Sequence, residues 1–132
     1  MSDLADRIGF PVVDLPPSVA SSPETTVRFL IGQLVHSGRL RPEDADQVVC
    51  QVLHRESLGS TAIGRGFALP HSKSDVVGEV VGIVGQSAVP VTWPGAVDVE
   101  HVRVVCLLIT PAFEPEASIR ALEAVSRQMK GE

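Results

Sequence analysis

The chain has 132 residues, 44% of them hydrophobic, and its 16 acidic residues outnumber its 11 lysines and arginines to give a formal net charge of −5. This length and composition predict one globular domain over residues 1–132 with an ordinary packed core. The negative charge and the lack of any lysine- and arginine-rich run argue against nucleic-acid binding, and no apolar run approaches the ~20 residues that span a membrane.

The first predicted elements are a strand and a capped helix. FPVVDL, residues 10–15, carries β-branched residues between prolines and predicts a short strand. Ser22 as N-cap and Pro23 in the first turn then begin a helix over residues 23–36, in which apolar residues recur at helical spacing. Gly38 is placed to end this helix.

A second helix and further strands follow. The helix is predicted to begin at Pro42 and to fade near Arg55, and the short segment before it indicates an antiparallel helix pair. EVVGIVGQS, residues 79–87, predicts a strand, with VPVTW after it as a short strand or edge segment. HVRVVCLLIT, residues 101–110, is apolar on both faces in its second half, which is typical of a central strand covered on both sides.

The last predicted element is a helix that begins at Pro115. Its apolar face is expected to consist of four residues at helical spacing: Ile119, Leu122, Val125 and Met129. The order of strands and helices predicts a single α/β domain with a mixed β-sheet covered by helices.

The two cysteines, Cys50 and Cys106, both lie in apolar runs, QVVCQVL and VVCLLI. We expect both to be buried, reduced thiols, which fits a reducing compartment and a cytoplasmic protein. The first ten residues, MSDLADRIGF, lack the apolar segment of a secretory signal.

The segment GSTAIGRGFALPHSKSD, residues 59–75, is the main candidate for chemistry. Because Pro70 favours extended geometry before it, we expect an extended run to place His71 at a strand end, beside a polar loop. Ser72 and Lys73 offer donors that suit a phosphate. Two interpretations are open at this point: a turn histidine bonded to a backbone carbonyl, or a nucleophile that takes a group and passes it on.

Other chemistries have little support in the sequence. The four histidines are never within four residues of one another, and HExxH and CxxC are both absent, so no metal site is predicted. The serine-nucleophile pattern GxSxG is absent as well. Gly64 and Gly66 begin a dinucleotide fingerprint, but Leu69 stands where its third glycine would be, so no nucleotide or other cofactor is predicted.

The run LHRESLGSTAIGRGFALPHSKSD resembles the active-site segment of fructose/mannitol-class enzyme IIA domains. These are phosphocarriers of the bacterial phosphoenolpyruvate-dependent sugar phosphotransferase system, and they include the nitrogen-regulatory enzyme IIA. The resemblance spans nearly the whole chain and implies a mixed sheet with helices on both faces. The positions in register with the family pattern are Arg55-Glu56, Leu58, Ser60-Thr61, Gly64, Gly66, Ala68, Pro70 and His71.

The resemblance implies a phosphohistidine carrier. His71 would accept a phosphoryl group from a histidine-containing phosphocarrier protein, and Arg55 would stabilise the phosphate charge beside it. Ser60 and Thr61 would lie nearby as hydrogen-bond donors. Onward partners would be a sugar-permease IIB component or a regulatory target, and a free-standing regulatory role is expected because no permease domain is attached.

Two departures from the family pattern leave an alternative open. Ser118 of SIRAL stands where the family often has a second active-site histidine, and it is either a donor to phosphate or a first-turn helix residue without such a role. The sequence also ends at MKGE, where family domains usually continue with another helical segment. The alternative function is a non-catalytic enzyme IIA-like interaction or sensor module.

Overall fold

The computed structural model describes residues 9–95 and 101–131; the first eight residues, part of the segment considered for a secretory signal, lie outside these ranges. The described residues form six strands and three α-helices, and a 3₁₀ turn precedes each of the first two helices. The strands are β1 (Val12–Asp14), β2 (Ala62–Gly64), β3 (Phe67–Ala68), β4 (His71–Ser74), β5 (Val81–Val91) and β6 (Val102–Pro111), and the helices are α1 (Pro23–His36), α2 (Ala45–Ser57) and α3 (Pro115–Met129).

The strands form one mixed sheet in the order β1-β5-β6-β3-β2, and β4 also pairs with β6. β5 and β6 are antiparallel, whereas β3 and β4 run parallel to β6. The side chains of β6 alternate between two cores. Val105 and Leu107 pack in the core that contains the inward residues of α1 and α2, and Cys106 and Leu108 pack in the core under α3. The predicted mixed sheet with helices on both faces is therefore confirmed.

Helix α1 has the predicted bounds because both of its ends are fixed by local caps. The Ser22 hydroxyl accepts a hydrogen bond from the Thr25 N–H at 3.1 Å, as an N-cap does. At the other end Gly38 has a φ of +78°, and the Arg39 N–H donates to the Leu34 carbonyl at 2.9 Å. This is the Schellman arrangement that glycine favours.

The structure confirms the predicted burial of Cys106 in β6 but contradicts the predicted burial of Cys50 in α2. Cys106 is buried as expected, and burial raises the pKa of its thiol to about 12. Cys50 is exposed, because Val48, Val49 and Val52 form the inward face of α2 and residue 50 falls on the opposite side. The apolar run around Cys50 was misleading because helical geometry divides such a run between two faces.

Helix α3 corrects the predicted apolar face. Val125 and Met129 are buried, but Ile119 is 54% exposed. The inward stripe instead begins at Ser118, which is 1% exposed, and continues through the half-buried Leu122. Within the described residues, no helix is both long and apolar enough to cross a membrane.

The segment around Pro70 also differs from the prediction. His71 begins the strand β4 rather than ending one, and the polar residues after it form that strand instead of a loop. Phe67 lies opposite Val104 and His71 opposite Leu108, so β3 and β4 follow β6 in one continuous register. Pro70 interrupts the pairing without ending it, because its carbonyl still accepts from the Leu108 N–H at 3.0 Å.

Candidate functional site

A pocket of about 390 Å³ opens between the C-terminal end of α2, strand β4 and helix α3. It lies where the polar edge strand β4 meets the last turn of α2. Its lining side chains come from α2 and the residue that follows it, from β4, from β6 and from α3: Gln51, His54, Arg55, Leu58, His71, Ser72, Lys73, Thr110 and Leu122.

His71 is held in a single tautomer. Its Nδ1 lies 2.8 Å from the Leu69 carbonyl oxygen, which can only accept a hydrogen bond, so Nδ1 carries the proton. Nε2 is then the nitrogen with a free lone pair. Burial lowers the pKa of His71, and the positive charge of Arg55 acts in the same direction, against the Leu69 hydrogen bond and the charge of Glu56. The imidazole is therefore neutral near pH 7 and can act as a nucleophile.

The charges around the pocket favour an anion. Arg55 and Lys73 line it, and none of the described residues that line it is an aspartate or glutamate. Arg55 is anchored because its Nη1 donates to the Gly59 carbonyl at 2.9 Å, which leaves the rest of the guanidinium fork available. The chain as a whole has a formal net charge of −5, so this pocket is a region of positive charge on an otherwise acidic protein.

Glu56, next to Arg55 in the last turn of α2, serves as an anchor for the adjacent loop. Its carboxylate accepts hydrogen bonds from the Thr61 N–H at 2.9 Å, the Thr61 hydroxyl at 2.5 Å and the Trp93 indole N–H at 3.0 Å. Thr61 and Trp93 are both buried. These bonds fix the segment between α2 and β2 against the end of β5.

The structure brings four of the predicted site residues together at the pocket: His71, Arg55, Ser72 and Lys73. The Ser72 hydroxyl is engaged locally with the Lys73 carbonyl at 2.9 Å. Thr61 is instead bonded to Glu56. The Ser60 hydroxyl accepts from the Ala62 N–H at 3.2 Å, and neither Ser60 nor Thr61 is among the lining residues.

The two glycines of the motif lie in a hairpin away from the pocket. Gly64 ends β2, and Arg65 and Gly66 turn the chain into β3 with φ values of 58° and 83°. Two successive positive φ angles are typical of a type I′ hairpin turn. A Cβ on Gly66 would also lie 3.1 Å from the His101 carbonyl oxygen. A direct part for these glycines, or for Ser60 and Thr61, in phosphate binding stays a prediction.

Ser118 is used within the start of α3. Its buried hydroxyl lies 3.2 Å from the Glu114 carbonyl oxygen and 3.4 Å from that of Pro111, and it donates to these backbone acceptors. It does not line the pocket, although Leu122, one turn later, does. A hydrogen bond from Ser118 to phosphate stays a prediction.

Sequence reasoning missed several lining residues, notably Gln51, His54 and Thr110. Gln51 lies four residues before Arg55 and therefore shares its helix face, a signal that was available in the sequence. Thr110 reaches the site only because β6 pairs with β4, where Lys73 lies opposite it. No local pattern reveals that pairing.

Comparison with known proteins gives one family match and a set of relatives. The sequence profile of the family described as "Phosphoenolpyruvate-dependent sugar phosphotransferase system, EIIA 2" matches residues 12–132. The 2-O-alpha-mannosyl-D-glycerate-specific EIIABC component of Escherichia coli is 35% identical over 71% of this chain and 14% of that protein. The fructose-specific EIIA component of Haloferax volcanii is 28% identical over 83% of this chain and 69% of that protein.

A nitrogen regulatory protein of Escherichia coli is 34% identical over 63% of this chain and 52% of that protein, so the chain spans about half of its length. Among solved structures, nitrogen regulatory protein IIA-Ntr from Neisseria meningitidis has a TM-score of 0.73 at 23% identity, over 90% of this chain and 77% of that one. The complex of enzyme IIA mannitol and phosphorylated enzyme IIB mannitol from Escherichia coli gives a TM-score of 0.60 at 23% identity, over 88% and 89%. These likenesses agree with the mixed sheet described above.

Proposed function

The chain belongs to the EIIA 2 family of the phosphoenolpyruvate-dependent sugar phosphotransferase system, and on this premise we propose that it is a phosphohistidine carrier with His71 as the acceptor. One observation carries the proposal. The Leu69 carbonyl holds the Nδ1 proton, so that His71 offers an unprotonated Nε2 in a pocket lined by two cationic side chains.

The proposed transfer follows from this tautomer. The Nε2 lone pair of His71 attacks the phosphorus of a donor phosphohistidine, and the donor nitrogen–phosphorus bond breaks with its electron pair remaining on the donor nitrogen. The His71 ring then carries both the phosphoryl group and the Nδ1 proton. The Leu69 carbonyl stabilises that charged ring, while Arg55 and Lys73 balance the roughly −1.5 to −2 charges of the phosphoryl group.

The partners are proposed by chemistry and by likeness. The donor is a histidine-containing phosphocarrier protein. The likeness to the mannitol IIA–IIB complex supports a IIB-type component as one onward acceptor, and the nitrogen regulatory relatives support a regulatory target as another. Because Cys50 and Cys106 are both free thiols, a reducing compartment fits, and we propose that the protein acts in the cytoplasm.

A second candidate function is a non-catalytic interaction or sensor module. Ser118 favours it, since this side chain is buried, bonded to backbone carbonyls and unable to carry a positive charge. The two functions differ in one measurable respect, which is whether a phosphoryl group is taken up and passed on.

The experiment is intact-mass analysis after mixing the protein with phosphoenolpyruvate, its kinase and the phosphocarrier from the same organism. The carrier predicts one acid-labile phosphoryl group that the His71→Ala variant does not acquire. A folded wild-type protein that gains no mass, with a donor system active on a control acceptor, would favour the interaction module.

A further inference from the structure

Gln51 carries a polar atom that the fold does not satisfy. Of the side-chain nitrogen and oxygen atoms buried in the described residues, the Gln51 amide oxygen alone has no hydrogen-bond partner. Buried polar groups in native proteins are nearly always paired, so an exception calls for a physical explanation. Gln51 lines the same pocket as His71 and Arg55, so an amide whose oxygen is not tied to the protein lies beside the proposed phosphoryl acceptor.

The preceding glutamine on the same helix shows the ordinary arrangement. Gln47 lies one turn before Gln51, and its amide Nε2 donates to the Asp75 carboxylate at 2.9 Å. Gln47 is exposed and does not line the pocket. The unpartnered amide oxygen is therefore particular to position 51 and is not a general property of glutamines on α2.

We propose that the Gln51 amide binds the phosphoryl group on His71, which makes it a binding residue of the carrier proposed above. The phosphoryl oxygens are acceptors, so the amide must present its NH₂ group to them. A half-turn about the Cγ–Cδ bond exchanges the two ends of the amide. Among the described residues the Gln51 carbonyl has no hydrogen-bond partner, so this half-turn breaks no hydrogen bond of that oxygen.

The position of Gln51 on α2 supports this role. Residues four apart on a helix share one face, and Gln51 and Arg55 both line the pocket. A neutral donor beside the two cationic side chains adds a hydrogen bond without adding repulsion between cations. The expected consequence is a longer lifetime of the phosphohistidine, since the amide stabilises only the phosphorylated form.

The test compares the full chain with Gln51→Met, which keeps the length of the side chain, and with Gln47→Met as the matched control. Each protein is loaded with potassium phosphoramidate, a small donor that needs no partner protein. The donor is then removed and loss of phosphoryl is followed by ³¹P NMR. Gln51→Met should lose phosphoryl about 10- to 100-fold faster than wild type, as expected for one hydrogen bond to a charged group.

A second readout separates binding from folding. Replacing an unpartnered buried acceptor by an apolar group should leave the melting temperature of the unphosphorylated protein unchanged or raised. If Gln51→Met does not fold, the Gln51→Glu variant tests the proposal instead. Its carboxylate would repel the phosphoryl group, so loading by phosphoramidate should be slower than in wild type by more than about 10-fold.

Two results would overturn the proposal for Gln51 alone: equal phosphoryl lifetimes in Gln51→Met and Gln47→Met, or loading of Gln51→Glu at the wild-type rate. A wild-type protein that is loaded by neither phosphoramidate nor the phosphocarrier would instead refute the carrier function, and the role of Gln51 with it.

Discussion

Replacing Glu56 should destabilise the fold more than its half-buried position suggests. Its carboxylate accepts three hydrogen bonds, two from Thr61 and one from the indole of Trp93. Glu56→Ala would leave two buried N–H groups without an acceptor, each costing about 1–3 kcal/mol. Allowing for water that reaches the space left by the side chain, we expect a loss of about 3 kcal/mol in the free energy of unfolding.

Glu56→Gln should cost about 1 kcal/mol, because its amide oxygen can still accept from both N–H groups while its NH₂ donates to the Thr61 hydroxyl. Trp93 is the only tryptophan of the chain, so its fluorescence reports on this contact during urea unfolding. With a urea m-value of about 2 kcal/mol per molar, the midpoint should fall by about 1.5 M for Glu56→Ala and about 0.5 M for Glu56→Gln.

Glu24→Ala is the matched control for this prediction. Glu24 forms an ion pair with Arg28 at 3.0 Å on the surface of α1, and its side chain is 58% exposed. Such pairs contribute about 0.5 kcal/mol or less. If Glu56→Ala shifted the urea midpoint no more than Glu24→Ala does, the anchoring role assigned to Glu56 would be wrong.

The remaining predictions concern pH, the hairpin and the thiols. Because the pKa of His71 is lowered in the fold, the unfolded chain binds this proton more readily as the pH falls through ~6.5, so acidification should reduce stability. His71→Gln should weaken that dependence in urea midpoints measured between about pH 8 and 5, and an unchanged dependence would contradict the assignment. Gly66→Ala should cost about 1–3 kcal/mol in the free energy of unfolding, since position 66 has a φ of +83°; a normal melting temperature would argue against the hairpin strain. Iodoacetamide should label Cys50 but not Cys106 in the native protein, and intact mass showing two labels would contradict the burial of Cys106.

The elements predicted correctly from the sequence are those with local signals. Helix α1 has its predicted bounds because Ser22 and Gly38 cap it through contacts within a few residues. Strand β6 was predicted to within one residue at each end, because most of its residues are buried on both faces and form a nearly continuous apolar run. Strand β5 continues past the predicted residues 79–87 to Val91, so that the separately predicted segment VPVTW begins as the end of β5 and not as a strand of its own.

The errors arise where long-range contacts decide the structure. His71 begins a polar strand because β6 supplies the hydrogen-bond partners, and no residue within β4 indicates this. Cys50 and Ile119 are exposed because the rotation of each helix on the sheet selects which part of an apolar run faces inward. At the site, the family pattern predicted His71 and Arg55, which both line the pocket, whereas the unpartnered amide oxygen of Gln51 becomes visible only when α2 is packed beside β4.

The most direct test of the account is to identify the phosphorylated nitrogen. Protein labelled with ¹⁵N at its four histidines is phosphorylated by the phosphoenolpyruvate system, and the ring nitrogens are observed by NMR with coupling to phosphorus. We predict coupling at Nε2 of His71, with the Nδ1 proton retained in its hydrogen bond to the Leu69 carbonyl. Coupling at Nδ1 of His71 or at any other histidine would contradict the account, as would the absence of coupling when a control acceptor is phosphorylated.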